Sequence, residues 1–287
     1  MRNRLLLSVV GVAMLAFSSP MFAQTYGTGG YVPGAWQPSD LPKGLPKAKP
    51  FDPHDLSGVW VATETSEPHS LNGEGTKHNS PPPMTAAGKA RFDANLPSKG
   101  PRAVVAGLGN SPVSTCDPLG YPMSMWAANL RPFEFLEAPA SDRVLQHMQY
   151  HGEWRQIWTD GRPLPKNPQP AWEGYAVGKW DGDTFVVTST GYDDRSWLDI
   201  FGDPHSSQMR LEERYRRVDK DTLELTMTLT DPMMYTKPWL GDKLTYKNAK
   251  VEIYEELCVP SEEDTFNKYM RDVNAGTAPP PAKPPAR

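Results

Sequence analysis

The sequence predicts an all-β protein built mostly from antiparallel strands, arranged as an up-and-down barrel or as a β-sandwich. The first observation is a strict alternation over residues 222–230, where every second residue is leucine or methionine and the others are polar. A period of two places the apolar side chains on one face of a sheet. The second is a pair of short polar turns, residues 181–183 and 219–221, each flanked by strand-like runs. The third is the spacing of such runs from residue 51 onward, which gives about eight strands.

Two consecutive hairpins form the centre of the predicted sheet. The first pairs residues 175–180 with 184–190 around Gly182, which can adopt the positive φ of a tight turn. The second pairs residues 211–218 with 222–230. Two hairpins in succession predict a meander.

Further strands are predicted on both sides of these hairpins. Residues 133–137 alternate, and residues 143–150 and 153–159 predict another hairpin. Residues 249–259 alternate as well and predict the strand that closes the sheet. Few helices are expected.

One short helix is predicted at residues 84–92, with Thr85 as its cap, and a second at residues 261–271, with Ser261 as its cap. The helix at 84–92 is expected to end by Asn95. Neither helix interrupts the predicted sheet.

The N-terminus has the pattern of a secretory signal peptide. Arg2 and Arg4 precede an apolar run over residues 5–17, and Ala23 offers a small residue for cleavage. The apolar run is shorter than the roughly 20 residues that a membrane-spanning helix requires. We therefore expect residues 1–23 to be removed and the protein to be periplasmic or secreted, without spanning the membrane.

The remaining chain is expected to hold one domain between two disordered ends. Residues 24–50 are rich in glycine, proline and lysine, and residues 273–287 in proline and alanine. Residues 51–272 contain all the strand-like runs and no internal repeat, which favours a single β domain.

Charge and motifs restrict the class of partner. The chain has 30 basic and 34 acidic side chains, a formal net charge of −4, and no basic block. This balance argues against nucleic-acid binding and favours a small-molecule ligand or substrate. No phosphate-binding glycine loop, dinucleotide fingerprint or nucleophile elbow is present, so we expect no cofactor. Nothing in the sequence indicates which oligomeric state the protein has.

The two cysteines, Cys116 and Cys258, are expected to form a disulfide in an oxidising compartment. The alternative is two buried free thiols. A metal site is not expected, because neither cysteine has a second ligand at the required spacing. Calcium bound by the aspartate-rich residues 191–209 is a further alternative, although the EF-hand pattern is absent.

The connector between the two central hairpins, residues 191–209, holds the first candidate catalytic group. His205 shares it with Asp193 and Asp194. A histidine oriented by a carboxylate can transfer protons near neutral pH. The alternative is that these side chains cap backbone amides or face water.

A second candidate group lies on the strand predicted at 211–218. Glu213, Tyr215 and Arg217 share one face by parity, so we assign Glu213 and Tyr215 as catalytic candidates and Arg217 as a ligand-binding candidate. Charges on an inward face must be paired. The alternative is a solvated edge strand with a ladder of exposed charges.

Aromatic residues are frequent in the later half of the chain. Rings with polar edges often line sites for sugars and phenolic compounds. We name Trp158, Tyr192 and Trp197 as ligand-binding candidates. Ordinary core packing is the alternative for each of them.

Several short motifs carry a resemblance to known proteins. Gly58 and Trp60, separated by one residue at the start of the first strand, resemble the opening of lipocalin-like barrels, in which the tryptophan plugs the closed end. The resemblance implies an up-and-down barrel rather than a sandwich. Taken whole, residues 51–272 resemble a group of exported Gram-negative bacterial proteins, which implies a compartment and a fold but no reaction. The motifs are SGVW (57–60), CDP (116–118), RPFEF (131–135), WDGDT (180–184), DDRSWLD (193–199), PHS (204–206), ERY (213–215) and YTKPW (235–239).

The function predicted from these observations is acid–base catalysis in an exported barrel. The reaction would be a lyase, isomerase or hydrolase reaction on a small aromatic or polyhydroxylated compound. The alternatives are a non-catalytic lipocalin-like carrier of a hydrophobic or phenolic ligand, and an envelope protein whose proline-rich ends bind partners.

Overall fold

The structure is a computed structural model that describes residues 50–63, 71, 81–95, 116–126, 131–137, 141–199 and 201–259. The expected signal peptide at 1–23, the leader up to residue 49, the helix at 261–271 and the tail at 273–287 lie outside the described residues. Among the described residues, no helix has the length and apolar character needed to cross a membrane.

The strands form one sheet in which β1 to β9 follow one another in chain order. The strands are β1 (Gly58–Ala62), β2 (Phe133–Glu137), β3 (Arg143–Met148), β4 (Glu153–Trp158), β5 (Tyr175–Asp181), β6 (Thr184–Thr190), β7 (Arg210–Asp219), β8 (Thr222–Thr230), β9 (Trp239–Leu240) and β10 (Leu244–Asn248). Because β10 pairs with both β1 and β8, nine strands close into a barrel, and the short β9 pairs with β8 beside this ring. The predicted all-β barrel is confirmed, and the sandwich alternative is wrong.

The alternating pattern fixes which side chains fill the barrel. Along β7, Leu211, Glu213 and Tyr215 are buried and the residues between them are exposed. β7 lies between β6 and β8, so the alternative of a solvated edge strand is wrong. Phe135 packs edge-to-face on Tyr215, with ring centroids 5.2 Å apart, so aromatic rings occupy the interior beside the charges.

The barrel departs from a strict up-and-down order at one place. β4 and β5 are parallel, with Ile157 paired to Ala176 and Trp158 to Val177. A parallel pair requires a connection of roughly a dozen residues or more. Residues 159–174 provide it, and they bring Trp172 and Glu173 to the start of β5.

The predicted closing strand was placed too late in the chain. Residues 249–259 alternate but form no strand, and the ring is closed by β10. Leu244 and Tyr246 of β10 are buried between β1 and β8, whereas Val251 and Leu257 are exposed. Alternating apolar and polar residues indicate a segment with one apolar face. Whether that segment joins the sheet depends on the strands available to pair with it.

Trp60 of β1 is held in the core by a hydrogen bond and a cation contact. Its side chain is fully buried and its Nε1 donates to the Leu56 carbonyl at 3.0 Å. The Arg217 guanidinium lies 5.4 Å from the indole centroid and donates to the Asp55 carbonyl. A cation above an indole ring is an attractive arrangement.

Two helices occur among the described residues, α1 (Ala86–Asn95) and α2 (Met123–Trp126). The predicted cap of α1 is confirmed, since the Thr85 hydroxyl accepts from the Gly88 N–H at 3.0 Å. The helix runs to Asn95, three residues beyond the predicted end at residue 92.

Candidate active site

A buried ion pair occupies the barrel interior. Arg155 of β4 and Glu213 of β7 face each other with no exposed side-chain surface. The guanidinium donates from Nη2 to Oε1 at 2.6 Å and from Nη1 to Oε2 at 2.8 Å. This two-pronged geometry gives strong, directional hydrogen bonds. Both strands alternate, so each charge points inward by parity.

Two tyrosines complete the hydrogen bonding of the glutamate. The hydroxyls of Tyr121 and Tyr215 donate to Glu213 Oε2 at 2.7 and 2.9 Å. The Tyr121 ring also lies 3.8 Å from the Arg155 guanidinium carbon. Burial, together with the negative charge of Glu213, raises the pKa of both tyrosines well above the usual range. Both phenols therefore remain neutral donors.

The network continues towards the connector through Ser189 and Tyr192. Ser189 Oγ accepts from Arg155 Nη2 at 3.1 Å and lies 2.5 Å from the Tyr192 hydroxyl. Tyr192 is buried, and desolvation raises its pKa. The Tyr192 ring packs edge-on against the His205 ring, with the two ring centroids 6.1 Å apart. The interior network and the connector are therefore in contact.

A pair of glutamates lies beside this network. The Glu153 and Glu173 carboxyls are close enough to influence each other's protonation, and Glu153 Oε1 accepts from the Leu119 N–H at 2.7 Å. Apart from this pairing, Glu153 Oε2 and both carboxyl oxygens of Glu173 are buried without a hydrogen-bond partner among the described residues. Burial raises the pKa of both carboxyls, and the neighbouring Glu153 raises that of Glu173 further. The pair therefore holds a proton above the pH at which an exposed glutamate loses it.

The connector places Ser196 against His205. Ser196 Oγ lies 2.7 Å from His205 Nε2, and both residues are buried. Burial lowers the pKa of the imidazole, which is therefore neutral at pH 7. His205 Nδ1 lies 3.3 Å from the Ser206 carbonyl, which can only accept, so Nδ1 carries the proton and Nε2 is the basic nitrogen.

One short backbone segment touches both groups. Leu119 donates to Glu153, and Tyr121 donates its backbone N–H to the Trp172 carbonyl at 3.1 Å. Between them, Gly120 has a φ of +71°, and a Cβ there would fall 2.8 Å from Ser196 Oγ. Only glycine suits this position, because a side chain would be strained and would collide with Ser196. We call residues 119–121 the covering segment.

The disulfide predicted from the two cysteines is confirmed. Cys116 and Cys258 are bonded, and there are no free cysteines. The bond attaches the chain just before the covering segment to the run after β10. The covering segment is therefore anchored from outside as well as by its contacts with the barrel.

The structure brings some of the predicted site residues together. Glu213, Tyr215 and Tyr192 converge on Arg155, and His205 adjoins Tyr192. The two predicted carboxylate partners of His205 are placed differently. Asp193 forms an ion pair with Arg195 at 2.8 Å, and Asp194 is exposed.

The remaining candidates lie elsewhere. Trp197 is buried within the hydrophobic core. Trp158 has the outward parity of β4 and lies under the guanidinium of Arg162 at 3.6 Å. Arg217 packs on Trp60, four residues along β7 from Glu213, which corresponds to about 13 Å.

Several central residues were not among the predictions. Arg155 could have been found, because it shares the inward parity of Ile157 on β4. Tyr121 and Glu173 lie outside regular strands, where no periodicity indicates the direction of a side chain. Ser196 is indicated only by its place in the polar connector.

A second carboxyl pair in the connector leads to a testable pH effect. Asp199 and Asp203 are fully buried, and burial raises the pKa of Asp203 to about 6. Since the folded state binds this proton more tightly than the unfolded chain, its stabilising contribution is complete below about pH 4 and is lost as the pH rises through 6. The loss is at most about 3 kcal/mol, at about 1.4 kcal/mol per pKa unit.

We expect Asp203→Asn to flatten the dependence of unfolding free energy on pH between 4 and 8, measured by urea denaturation. The amide keeps the shape of the carboxyl but does not ionise. Asp242→Asn, at an exposed position, serves as the control and should follow the wild-type curve. Identical slopes for Asp203→Asn and wild type would contradict the assignment.

Searches of protein-family models, curated proteins and solved structures found no match to this chain. Among the described residues, no group of three or more His, Cys, Asp or Glu side chains could hold a metal ion. The site must therefore be interpreted from its own geometry.

Proposed function

We propose that this chain is an exported small-molecule enzyme that uses acid–base chemistry at the covering segment. The reaction is a lyase, isomerase or hydrolase reaction on a small aromatic or polyhydroxylated compound. One observation carries the proposal: the covering segment contacts a proton-holding carboxyl pair through Leu119 and, at Gly120, a serine bonded to a neutral imidazole. A protonated acid and a free base are what general acid–base catalysis requires.

The Glu153–Glu173 pair is the acid in this proposal. Two adjacent buried carboxyls cannot both ionise without a large cost, so one proton is held between them. The Arg155–Glu213 ion pair lies nearby and supplies fixed charges in a desolvated setting. Fixed charges and dipoles in such a setting stabilise charge that develops during a reaction.

His205 is the base. Its tautomer is set by the Ser206 carbonyl, and Ser206 is itself held by Asp231, whose Oδ1 accepts from the Ser206 hydroxyl at 2.8 Å. The ring orientation is therefore fixed by two successive layers of hydrogen bonds. Such support keeps a catalytic base in its productive geometry.

Export is part of the proposal. A disulfide supports an oxidising compartment, and the apolar N-terminal run supports passage through the secretory route. Trp60, which follows Gly58 on β1 and is fully buried, supports the resemblance to exported proteins with a lipocalin-like opening. A carrier of a large hydrophobic ligand is less well supported, because rings such as Phe133, Phe135 and Tyr246 pack on one another in the interior.

We expect Glu173→Gln and His205→Gln each to lower turnover about 100-fold or more, because each removes one proton-transfer group. Substrates are sought by incubating the purified protein with small-molecule extracts of bacterial envelopes. Intrinsic tryptophan fluorescence detects binding, and mass spectrometry shows whether a bound compound changes.

The control for this prediction is Glu212→Gln, which changes an exposed glutamate on the outer face of β7. It should leave turnover unchanged. If a compound binds and is recovered unchanged, the protein is a carrier of that compound and not an enzyme acting on it. Turnover that survives both Glu173→Gln and His205→Gln would exclude this site.

A further inference from the structure

We infer that Ser196 is a nucleophile and that the reaction is acyl transfer, the hydrolysis of a small ester. This inference rests on the proposed function, in particular on His205 as the base. It adds a covalent step and a substrate class, and in that step His205 rather than the Glu153–Glu173 pair protonates the leaving group. It is carried by the hydrogen bond of 2.7 Å between Ser196 Oγ and His205 Nε2. A serine within hydrogen-bond reach of a correctly oriented base is the arrangement that activates a hydroxyl for attack.

The tautomer of His205 supports this role for Ser196. Because the proton is on Nδ1 and points to the Ser206 carbonyl, Nε2 has a free lone pair, which accepts the Ser196 hydroxyl proton. The opposite tautomer would turn Ser196 into an acceptor and leave it unactivated. The Asp193 carbonyl, 3.0 Å from Ser196 Oγ, is a second acceptor for the same hydroxyl hydrogen, so the hydroxyl donates to Asp193 or to His205 at any one time and must turn to Nε2 before it attacks.

The support of His205 extends to a carboxylate. The Ser206 backbone N–H donates to Asp231 Oδ2, and its hydroxyl donates to Asp231 Oδ1 at 2.8 Å. Asp231 therefore fixes the residue whose carbonyl orients the imidazole. The chain has a serine, a histidine and an aspartate in series, although the aspartate acts through the backbone of Ser206 rather than on the ring itself.

The ester is cleaved in two stages, acylation of Ser196 and hydrolysis of the acyl-serine. Ser196 Oγ attacks the ester carbonyl carbon while its proton moves to His205 Nε2, and a C–O bond to Ser196 forms. The tetrahedral intermediate collapses, the bond to the leaving alcohol breaks, and the proton on His205 passes to the departing oxygen. Water then attacks the acyl-serine with His205 as base, which releases the acid and restores Ser196.

The site restricts the size of the substrate. Ser196 is only 2% exposed, and the backbone of Gly120 lies directly beside its hydroxyl. A hydroxyl with so little exposed surface is within reach of small reagents only. Small reagents are the appropriate probes.

The test uses the purified mature protein with phenylmethanesulfonyl fluoride as covalent probe and p-nitrophenyl acetate as ester. We expect one sulfonyl adduct on Ser196 by peptide mass spectrometry. Ser196→Ala and His205→Gln should lose the adduct and lower ester turnover about 1,000-fold or more. Ser207→Ala, at an exposed serine in the same connector, should retain both.

The outcomes separate this inference from the proposed function. A wild-type protein with neither adduct nor ester turnover would overturn the nucleophile, as would turnover that survives Ser196→Ala. If a compound from the extract is converted in a way that needs Glu173 and His205 but not Ser196, only the nucleophile fails. If Ser196 is labelled but no compound is converted, only the proposed enzyme fails. Circular dichroism of each variant confirms that it is folded.

Discussion

Replacing Glu213 by alanine is expected to lower the free energy of unfolding by about 3–5 kcal/mol. The substitution leaves the Arg155 guanidinium as a fully buried cation without its counter-charge. It also removes the acceptor of the Tyr121 and Tyr215 hydroxyls. Urea denaturation followed by tryptophan fluorescence measures the change.

The matched control is Glu212→Ala, one residue away on the exposed face of β7. Glu212 lies 3.6 Å from Arg214 at the surface, where ion pairs contribute little, so its loss should cost under about 1 kcal/mol. The double variant Arg155→Met with Glu213→Leu removes both charges and should be more stable than Glu213→Ala alone. A loss below about 1 kcal/mol for Glu213→Ala would mean that water reaches Arg155 in solution.

Removing the disulfide is expected to lower the free energy of unfolding by about 4–5 kcal/mol. Cys116 and Cys258 are separated by 142 positions, so the bond closes a long loop and strongly restricts the unfolded chain. Cys116→Ser with Cys258→Ser is the appropriate variant, because it leaves no free thiol. Thermal and urea denaturation under non-reducing conditions give the comparison.

Non-additivity provides the control for this prediction. Each single cysteine variant should lose as much as the double variant, since either change alone breaks the bond. Reduced wild-type protein should have the same free energy of unfolding as these variants. Equal stability of the double variant and oxidised wild type would show that the bond does not restrict the unfolded chain.

The parts of the fold that follow local rules could be predicted. The hairpins β5–β6 and β7–β8 follow from alternation and from polar turns, and both were placed within one or two residues of their observed bounds. The cap of α1 depends only on Thr85 and the amides that follow it. These features involve neighbours in the chain, so the pattern of residues carries the information.

Pairing between segments distant in the chain was harder to predict from the sequence. The sequence placed the closing strand at residues 249–259, whereas β10 at Leu244–Asn248 closes the ring. The residue pattern of neither β4 nor β5 indicates that these two strands pair in parallel. In both cases the outcome depends on which strand edges remain unpaired once the rest of the sheet has formed.

The candidate site shows the same division. Parity alone put Glu213 and Tyr215 on one face of β7, and the pairing of β7 with both β6 and β8 decided that this face is the inner one. By the same alternation Arg155 is inward on β4. Tyr121 and Glu173 come from segments without periodicity, and only the folded barrel brings them to this place.

By itself, then, the sequence determined the all-β class, which residues share a face of each clear strand, the cysteine pair and the polar connector with His205. Only the tertiary structure decided that Arg155 meets Glu213, that Glu173 lies against Glu153, and that Ser196 rather than Asp193 or Asp194 faces the imidazole. The physical reason is that side-chain periodicity and turn chemistry act over a few residues. The direction of a loop side chain is set instead by the burial and hydrogen-bonding needs of residues distant in the chain.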